Sequence, residues 1–264
     1  MSTMIALQND SGGTMPASRV ARSWLLETQY EFLRLLRTPQ FALPTILFPS
    51  MFYLLFGVLL NHPGHGFDPA AYMLAGYSAF GVMAPGLFGF GVVVAIEREQ
   101  GLLVFKRALP MPPGAYLAAK MLMAMLFAAI VTLLLMALAA ILGHVRMPAG
   151  EWVALLATCV LGVLPFCAIG LFVGTLVGGQ GAPAVVNLIY LSMAFLSGLW
   201  VPLFLLPKFL QQIAPLWPAY HLGQVAFAVT GQRTAGSFSA HIGALAAYTV
   251  VFFLLAQRRL KRTG

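Results

Sequence analysis

Long runs of apolar residues make up most of the chain, and short polar segments separate them. Each run holds roughly 20 residues, which at about 1.5 Å per residue of α-helix is enough to cross a hydrocarbon core of about 30 Å. The pattern therefore predicts an all-α integral membrane protein with six transmembrane helices. The predicted spans are residues 41–60, 71–95, 116–142, 152–177, 183–205 and 241–256, within a transmembrane domain over residues 39–258.

A different pattern precedes the first span. Between residues 19 and 38, apolar side chains recur every three or four positions from Leu26 to Leu36, and Glu and Arg side chains occupy the neighbouring stripe. This spacing predicts an amphipathic helix. We expect it to lie at the membrane interface with Trp24 as an anchor, although a helix packed against a soluble partner would show the same spacing.

The composition also indicates a membrane protein, because 60% of the 264 residues are hydrophobic and only 8% are charged. Soluble domains carry about 25% charged residues. The formal net charge is +8, from 15 Lys and Arg residues against 7 Asp and Glu residues. With a cytoplasmic amino terminus, 12 of the basic residues fall in cytoplasmic segments and 3 in external ones. This asymmetry predicts a bacterial inner-membrane protein with both termini in the cytoplasm, in contact with lipid rather than nucleic acid.

The two ends of the chain are predicted to be cytoplasmic tails. Residues 1–18 are small and polar, and they lack the basic segment and apolar core of a secretory signal peptide, so we expect a disordered tail there. Residues 259–264 are rich in Lys and Arg and are expected to form a short basic tail.

The connection over residues 207–240 is too elaborate to be a simple turn. Its middle is too hydrophobic for a free external loop, and Pro215 and Pro218 interrupt it too closely for a full span. We therefore expect short re-entrant or interfacial helices in this segment.

Three glycines, Gly170, Gly174 and Gly178, repeat every four residues on the fourth span. Such small residues let another helix approach closely, either within the same protomer or at a dimer seam. The glycines at positions 86, 89 and 91 also lie inside a span, where tight packing or a kink is a better explanation than dinucleotide binding.

Several classes of chemistry are disfavoured. The chain contains no G-x-x-x-x-G-K-[ST] element and no Gly-Lys dipeptide, so we expect no nucleotide site and no enzyme activity in this chain alone. The spans hold almost no ionisable residues, which argues against an ion-driven carrier and an intramembrane hydrolase. We also expect no metal site. Cys159 and Cys167 share one apolar span, and His62 and His65 are an isolated pair of histidines in a loop.

The cytoplasmic connection after the second span is the strongest candidate for a docking element. Glu97 and Glu99 continue that span beyond the membrane, residues 102–109 are expected to form one short helix, and a proline cluster beginning at Pro110 ends it. A rigid polar helix held below the membrane suits contact with a soluble partner. A merely solvated loop that obeys the positive-inside rule is the alternative.

Two segments resemble ABC-2 type exporter permeases, particularly the small drug and natural-product efflux group. EREQGLLVFKRALPMPPGAYLAAK, residues 97–120, is similar to the acidic motif, coupling helix and third-span start of that family. SGLWVPLFLLPKFLQQIAPLWPAYHLGQVAFA, residues 197–228, is similar to its fifth span and external re-entrant segment. The span count, the interfacial helix and the length match as well.

The resemblance implies a half-size permease that forms a homodimer and binds two copies of a separate ATP-binding subunit. ATP and Mg would be bound by that partner, and this chain would hold no cofactor. The residues expected to couple the two subunits are Glu97, Arg98, Glu99, Lys106, Arg107 and Pro110.

The substrate path is expected between protomers, where the second and fifth spans of such proteins meet. Adaptable Met and aromatic side chains would suit an amphiphilic or hydrophobic cargo that is exported from the cytoplasm or the inner leaflet. The candidates are Met83, Phe88, Asn187, Tyr190 and Phe195. An exporter of lipid-linked polysaccharide and a membrane scaffold or sensor that transports nothing are the alternative functions.

Overall fold

The computed structural model describes residues 17–60, 68–102 and 115–263, and every regular element in these ranges is helical. The amphipathic helix predicted over residues 19–38 is α1 (Ala17–Leu36). The other α-helices are α2 (Pro39–Phe52), α3 (Pro69–Ala84), α4 (Val93–Glu99), α5 (Ala115–Ile141), α6 (Ala149–Gly162), α7 (Leu164–Leu176), α8 (Ala182–Leu196), α9 (Lys208–Ile213), α10 (Pro218–Val229) and α11 (Phe238–Thr263).

Five helical segments of the described chain are long and apolar enough to cross a membrane. They correspond to predicted spans one to four and six. Their bounds are Pro39–Leu59, Pro69–Glu99, Tyr116–Ile141, Ala149–Leu176 and Phe238–Leu260. The prediction of a multi-span helical membrane protein is therefore confirmed.

The segment predicted as the fifth span is shorter than expected. Helix α8 has 15 residues and ends at Leu196, whereas the prediction continued the helix to residue 205. Gly198 then adopts φ +75°, a left-handed conformation that terminates the helix, and Pro202 precedes one turn of 3₁₀-helix at Leu203–Leu205. At about 1.5 Å per residue, α8 is about 22 Å long, which is less than the hydrocarbon thickness of about 30 Å.

Prolines and wide helical turns shape the first two spans. A π-helical segment, Tyr53–Leu59, follows α2, and a second one, Pro85–Val92, joins α3 to α4. Pro85 has no backbone N–H to donate, so it disturbs the regular hydrogen-bond ladder where the wide turns begin. In the fourth span, α6 ends at Gly162 and α7 restarts just before Pro165. Pro44, by contrast, lies inside α2 without breaking it.

The second span lies at the centre of the fold. Nearly all side chains of α3 are buried, and α3 packs against α2, α5, α6 and α10. The π-helical segment Pro85–Val92 continues this contact by packing against α7. The end of the second span is consequently surrounded by other helices, where its charged residues can be buried.

Glycines allow the second and fourth spans to touch through their backbones. A Cβ atom added to Gly91 would lie 2.6 Å from the carbonyl oxygen of Gly170, and one added to Gly170 would lie 2.7 Å from the carbonyl oxygen of Gly86. Both distances are too short for any side chain. The contact predicted from the glycines of the fourth span is thus formed within the protomer.

The connection over residues 207–240 contains α9, a 3₁₀ turn at Ala214–Leu216, and α10. Helix α10 is mostly buried and packs against α3 and α11. The expected short helices are therefore present; α10 is held against the helical bundle, whereas α9 has no buried residue.

Candidate coupling site and transport path

Two oppositely charged residues, Glu31 and Arg34, lie one turn apart on the face of α1 that meets the bundle. Helix α1 packs against α5 and α2. The Glu31 side chain is buried, whereas the Arg34 side chain is 49% exposed, and their charged atoms are 3.8 Å apart. The polar stripe of the amphipathic helix thus points partly into the protein.

These two residues form a charge cluster with Glu97, Tyr116 and Lys120. The Arg34 guanidinium donates to Oε1 of Glu97 over 2.9 Å, and the Tyr116 hydroxyl donates to Oε2 of the same carboxylate. The ammonium of Lys120 is 3.2 Å from Glu31 and 3.4 Å from Glu97. It also lies over the Tyr116 ring, 4.9 Å from the centroid. The charge cluster therefore joins α1, the end of the second span and the start of the third.

The charges in the cluster balance, with two carboxylates against one guanidinium and one ammonium. Lys120 is fully buried and Glu97 nearly so, which is tolerable only because each charge has an opposite partner within hydrogen-bond reach. Partial burial lowers the pKa of Arg34, but Glu31 and Glu97 together outweigh burial and raise it above its ordinary value. Arg34 is consequently a permanent cation in this cluster.

The next two residues connect the second span to the fourth. The guanidinium of Arg98 donates to the carbonyl oxygens of Thr175 and Val177, the latter over 3.0 Å, and Glu99 accepts from the backbone N–H of Gly179. The last carbonyls of a helix have no intrahelical partner and carry partial negative charge, so an Arg there is favourable. Arg259 of α11 approaches the Thr175 carbonyl from another side, at 3.4 Å.

Glu97, Arg98 and Glu99 are therefore all engaged: Glu97 is bound to α1 and α5, Arg98 to the end of α7, and Glu99 to the connection after α7. The other predicted coupling residues, Lys106, Arg107 and Pro110, lie outside the described residues, as does the short helix predicted over residues 102–109. His62 and His65 also lie outside them.

Three of the five predicted path residues line one cavity of about 390 Å³. Phe88 and Tyr190 meet edge to face, with ring centroids 5.5 Å apart, and Asn187 lies beside them on the exposed face of α8. The wall opposite comes from α2. The lining residues are Gln40, Phe41, Pro44, Thr45, Phe48, Ala84, Phe88, Asn187, Tyr190 and Leu191.

The other two path candidates lie elsewhere. Met83 is fully buried in the core of the protomer, and Phe195 is 44% exposed but does not line this cavity. Sequence reasoning missed the α2 wall, although Phe41, Thr45 and Phe48 recur at i, i+4 and i+7 and so share one face of that helix.

A family model described as ABC-2 type transporter matches residues 22–230. The chain belongs to the ABC-2 type transporter family. It is also similar to the protein named "Putative transport permease YvfS" of Bacillus subtilis (strain 168), with 28% identity over 229 residues, which are 86% of this chain and 92% of the relative. The chain is thus a multi-pass membrane permease of an ABC transporter, and permeases of this family work with ATP-binding subunits. Membership of the ABC-2 family, inferred from residues 97–120 and 197–228, is confirmed.

Proposed function

We propose that this chain is the permease subunit of an exporter, which moves an amphiphilic or hydrophobic substrate out of the cytoplasm or the inner leaflet. A separate subunit, present in two copies, binds and hydrolyses ATP, and this chain hydrolyses none. The permease sits in a bacterial inner membrane with both termini in the cytoplasm. Helix α8 and the segment after it provide the fifth of six crossings, and α9 and α10 form the external re-entrant segment.

The charge cluster is the observation that carries this proposal. It lies on both sides of the 103–114 connection, because Glu97 precedes that connection and Tyr116 and Lys120 follow it. An ATP-binding subunit that pushes on α1 or on the connection would displace charged groups with buried partners. The force then reaches the second and third spans together, since Glu97 and Lys120 are bound to each other.

Burial determines how strongly such a cluster transmits force. Removing one member of a buried charge pair costs about 3 to 5 kcal/mol, whereas an exposed pair contributes under about 1 kcal/mol. Because the Lys120 side chain is fully buried, its contacts resist separation, and α1 moves with the spans as one unit.

The cavity between α2, the Pro85–Val92 segment and α8 is our proposed part of the substrate path. Its volume of about 390 Å³ and its aromatic walls suit a small amphiphile. Asn187 is exposed there among apolar neighbours, and an amide that faces lipid lacks hydrogen-bond partners at a cost in free energy. A second copy of the chain covering this face would remove that cost, so we place the homodimer seam at the cavity.

The test is reconstitution of the permease with its ATP-binding subunit in proteoliposomes, followed by measurement of ATP hydrolysis and of export. Arg34→Gln removes the α1 link to Glu97 and is expected to lower transport-linked stimulation of ATP hydrolysis at least about tenfold, the factor that about 1.4 kcal/mol of coupling represents. Arg37→Gln is the matched control, because Arg37 is exposed and directly follows α1. Equal activity of both variants and wild type would show that the cluster does not couple the subunits.

A further inference from the structure

Two histidines meet at the end of the bundle opposite the charge cluster. His221 lies in the first turn of α10 and His241 near the start of α11. Their Nδ1 atoms are 2.9 Å apart. The ring centroids are 5.2 Å apart, and this distance exceeds the separation of the two Nδ1 atoms by roughly the diameter of one imidazole ring. The nitrogens therefore lie on the line between the rings, and their lone-pair directions point at each other.

The other ring nitrogens fix the tautomers. Nε2 of His221 is 3.0 Å from the carbonyl oxygen of Pro215, and Nε2 of His241 is 2.7 Å from that of Ala235. A carbonyl oxygen only accepts, so each Nε2 must carry a hydrogen. A neutral imidazole has one N–H, which leaves both Nδ1 atoms without a hydrogen and in repulsion at this distance. One added proton between them makes a normal hydrogen bond.

We propose that His221 and His241 form a proton-binding site, which holds one shared proton between the two Nδ1 atoms and thereby clamps α10 to α11. The proton comes from solvent and no covalent bond between heavy atoms changes. Without it, two lone pairs face each other. With a second proton, two cations face each other and neither Nδ1 can accept.

A transition metal would use the same lone pairs but needs a different arrangement. A zinc ion lies about 2.0 Å from each ligand nitrogen, so both lone pairs would have to converge on a point beside the line that joins the nitrogens. Here they point along that line. Nor does any third His, Cys, Asp or Glu of the described chain form a metal-binding group with the pair. A proton is thus the ligand that this geometry fits.

Two tyrosines are the titratable groups that face the pair within the described residues. The Tyr220 ring is 5.4 Å from the His221 ring and 5.8 Å from the His241 ring, and the Tyr248 ring is 6.5 Å from the His221 ring. Tyrosine is neutral near pH 7, and burial raises the pKa of Tyr220 further. The charge on the pair is therefore governed by the histidines themselves.

The contribution to stability should pass through a maximum as the pH changes. The proposed site binds its first proton more tightly than the unfolded chain does, because only the folded chain aligns the two Nδ1 atoms on one proton, so this contribution is lost as the pH rises above the point where that proton leaves. The folded protein also resists the second proton, because burial lowers the pKa of His221 and the neighbouring imidazole lowers it further. Stability is consequently lost again as the pH falls below the ordinary histidine range.

The first experiment measures the apparent melting temperature of the purified full chain in lipid nanodiscs, at one scan rate, between about pH 4.5 and about pH 8.5. These values lie on both sides of the ordinary histidine pKa of about 6.5. Wild type should melt about 2 to 4 °C higher at its maximum than at either end, the shift expected for one hydrogen bond in a chain of this size.

The variants His221→Asn and His241→Asn separate a proton site from simple packing. Asparagine places an amide near the position of Nδ1, so it keeps a polar contact without titrating, and both variants should lose the maximum. His144→Asn is the control, because His144 lies in an exposed turn with φ 51° that asparagine tolerates, and it should keep the maximum.

A second readout distinguishes the proton from a metal. Nitrogen-15 spectra of the histidine-labelled chain should show one titrating Nδ1 environment that disappears in His241→Asn. If wild type and both asparagine variants show the same dependence of melting temperature on pH, the proton site is refuted. Stabilisation of wild type, but not of His241→Asn, by micromolar Zn²⁺ with no pH maximum would overturn the proton assignment in favour of a metal.

Discussion

Replacing Lys120 by methionine tests the charge cluster most directly. Lys120 is fully buried, and its ammonium lies 3.2 Å from Glu31 and 3.4 Å from Glu97. Methionine fills a similar volume but removes the charge, so two carboxylates remain with Arg34 as their only cation in the cluster. One buried negative charge is then uncompensated.

The expected loss follows from the cost of breaking a buried ion pair, about 3 to 5 kcal/mol. For a chain of this size, 1 kcal/mol lowers the melting temperature by about 2 to 4 °C, so Lys120→Met should lower it by roughly 6 to 20 °C. Lys208→Met is the matched control. Lys208 is exposed, and the same substitution there should change the melting temperature by less than about 2 °C.

A double variant identifies the cause of the loss. Glu31→Gln combined with Lys120→Met restores charge balance, because Glu97 and Arg34 then remain as a pair at 2.9 Å. The double variant should melt higher than Lys120→Met alone, in lipid nanodiscs at one scan rate. If the Lys120→Met chain melts within about 2 °C of wild type, Lys120 is not part of a buried charge cluster. If the melting-temperature loss of the double variant equals the sum of the losses of the two single variants, Glu31 and Lys120 are not coupled through their charges.

Three further results are expected. Reporter fusions at Gly264 and at His65 should lie on opposite sides of the membrane, and the same sidedness at both would contradict the predicted topology. The chain purified without its partner should hydrolyse ATP only at background rates, and activity that persists after removal of co-purifying proteins would show a nucleotide site in it. Gly91→Val should disrupt insertion or lower the melting temperature by at least about 5 °C, because its Cβ would lie 2.6 Å from a carbonyl oxygen of α7. Gly243→Val is the control and should be tolerated, because a Cβ there would lie in open space.

Most of the helical architecture could be predicted from hydrophobic runs alone, because a bilayer requires long helices of nearly uniform apolarity. The fifth span was predicted too long, since residues 197–205 are also apolar and the run continues through the turn. What ends the helix is backbone conformation at Gly198, which hydrophobicity does not report.

The charge cluster could be predicted only in part. Glu97 was identified from its position at the end of a span, but Arg34 and Glu31 looked like the solvent-facing stripe of an interfacial helix. Arg34 and Glu97 are 63 residues apart, and Lys120 and Glu31 are 89 residues apart. No local spacing rule links residues at such separations, so their pairing depends on how the helices pack.

The length of the second span, including its π-helical segment Pro85–Val92, determines which way the charged end of the span faces. Each residue of an α-helix advances its neighbours by about 100° around the axis. Deleting one residue from the regular α-helix that follows this segment, between Val93 and Ile96, would therefore turn Glu97 by about that angle, so that Glu97 would face away from Lys120 and Arg98 would leave the end of α7. The number of residues between Pro85 and Glu97 therefore fixes the direction in which the charged end of the second span faces. Homologues that keep the charge cluster should vary in sequence there, but not in length.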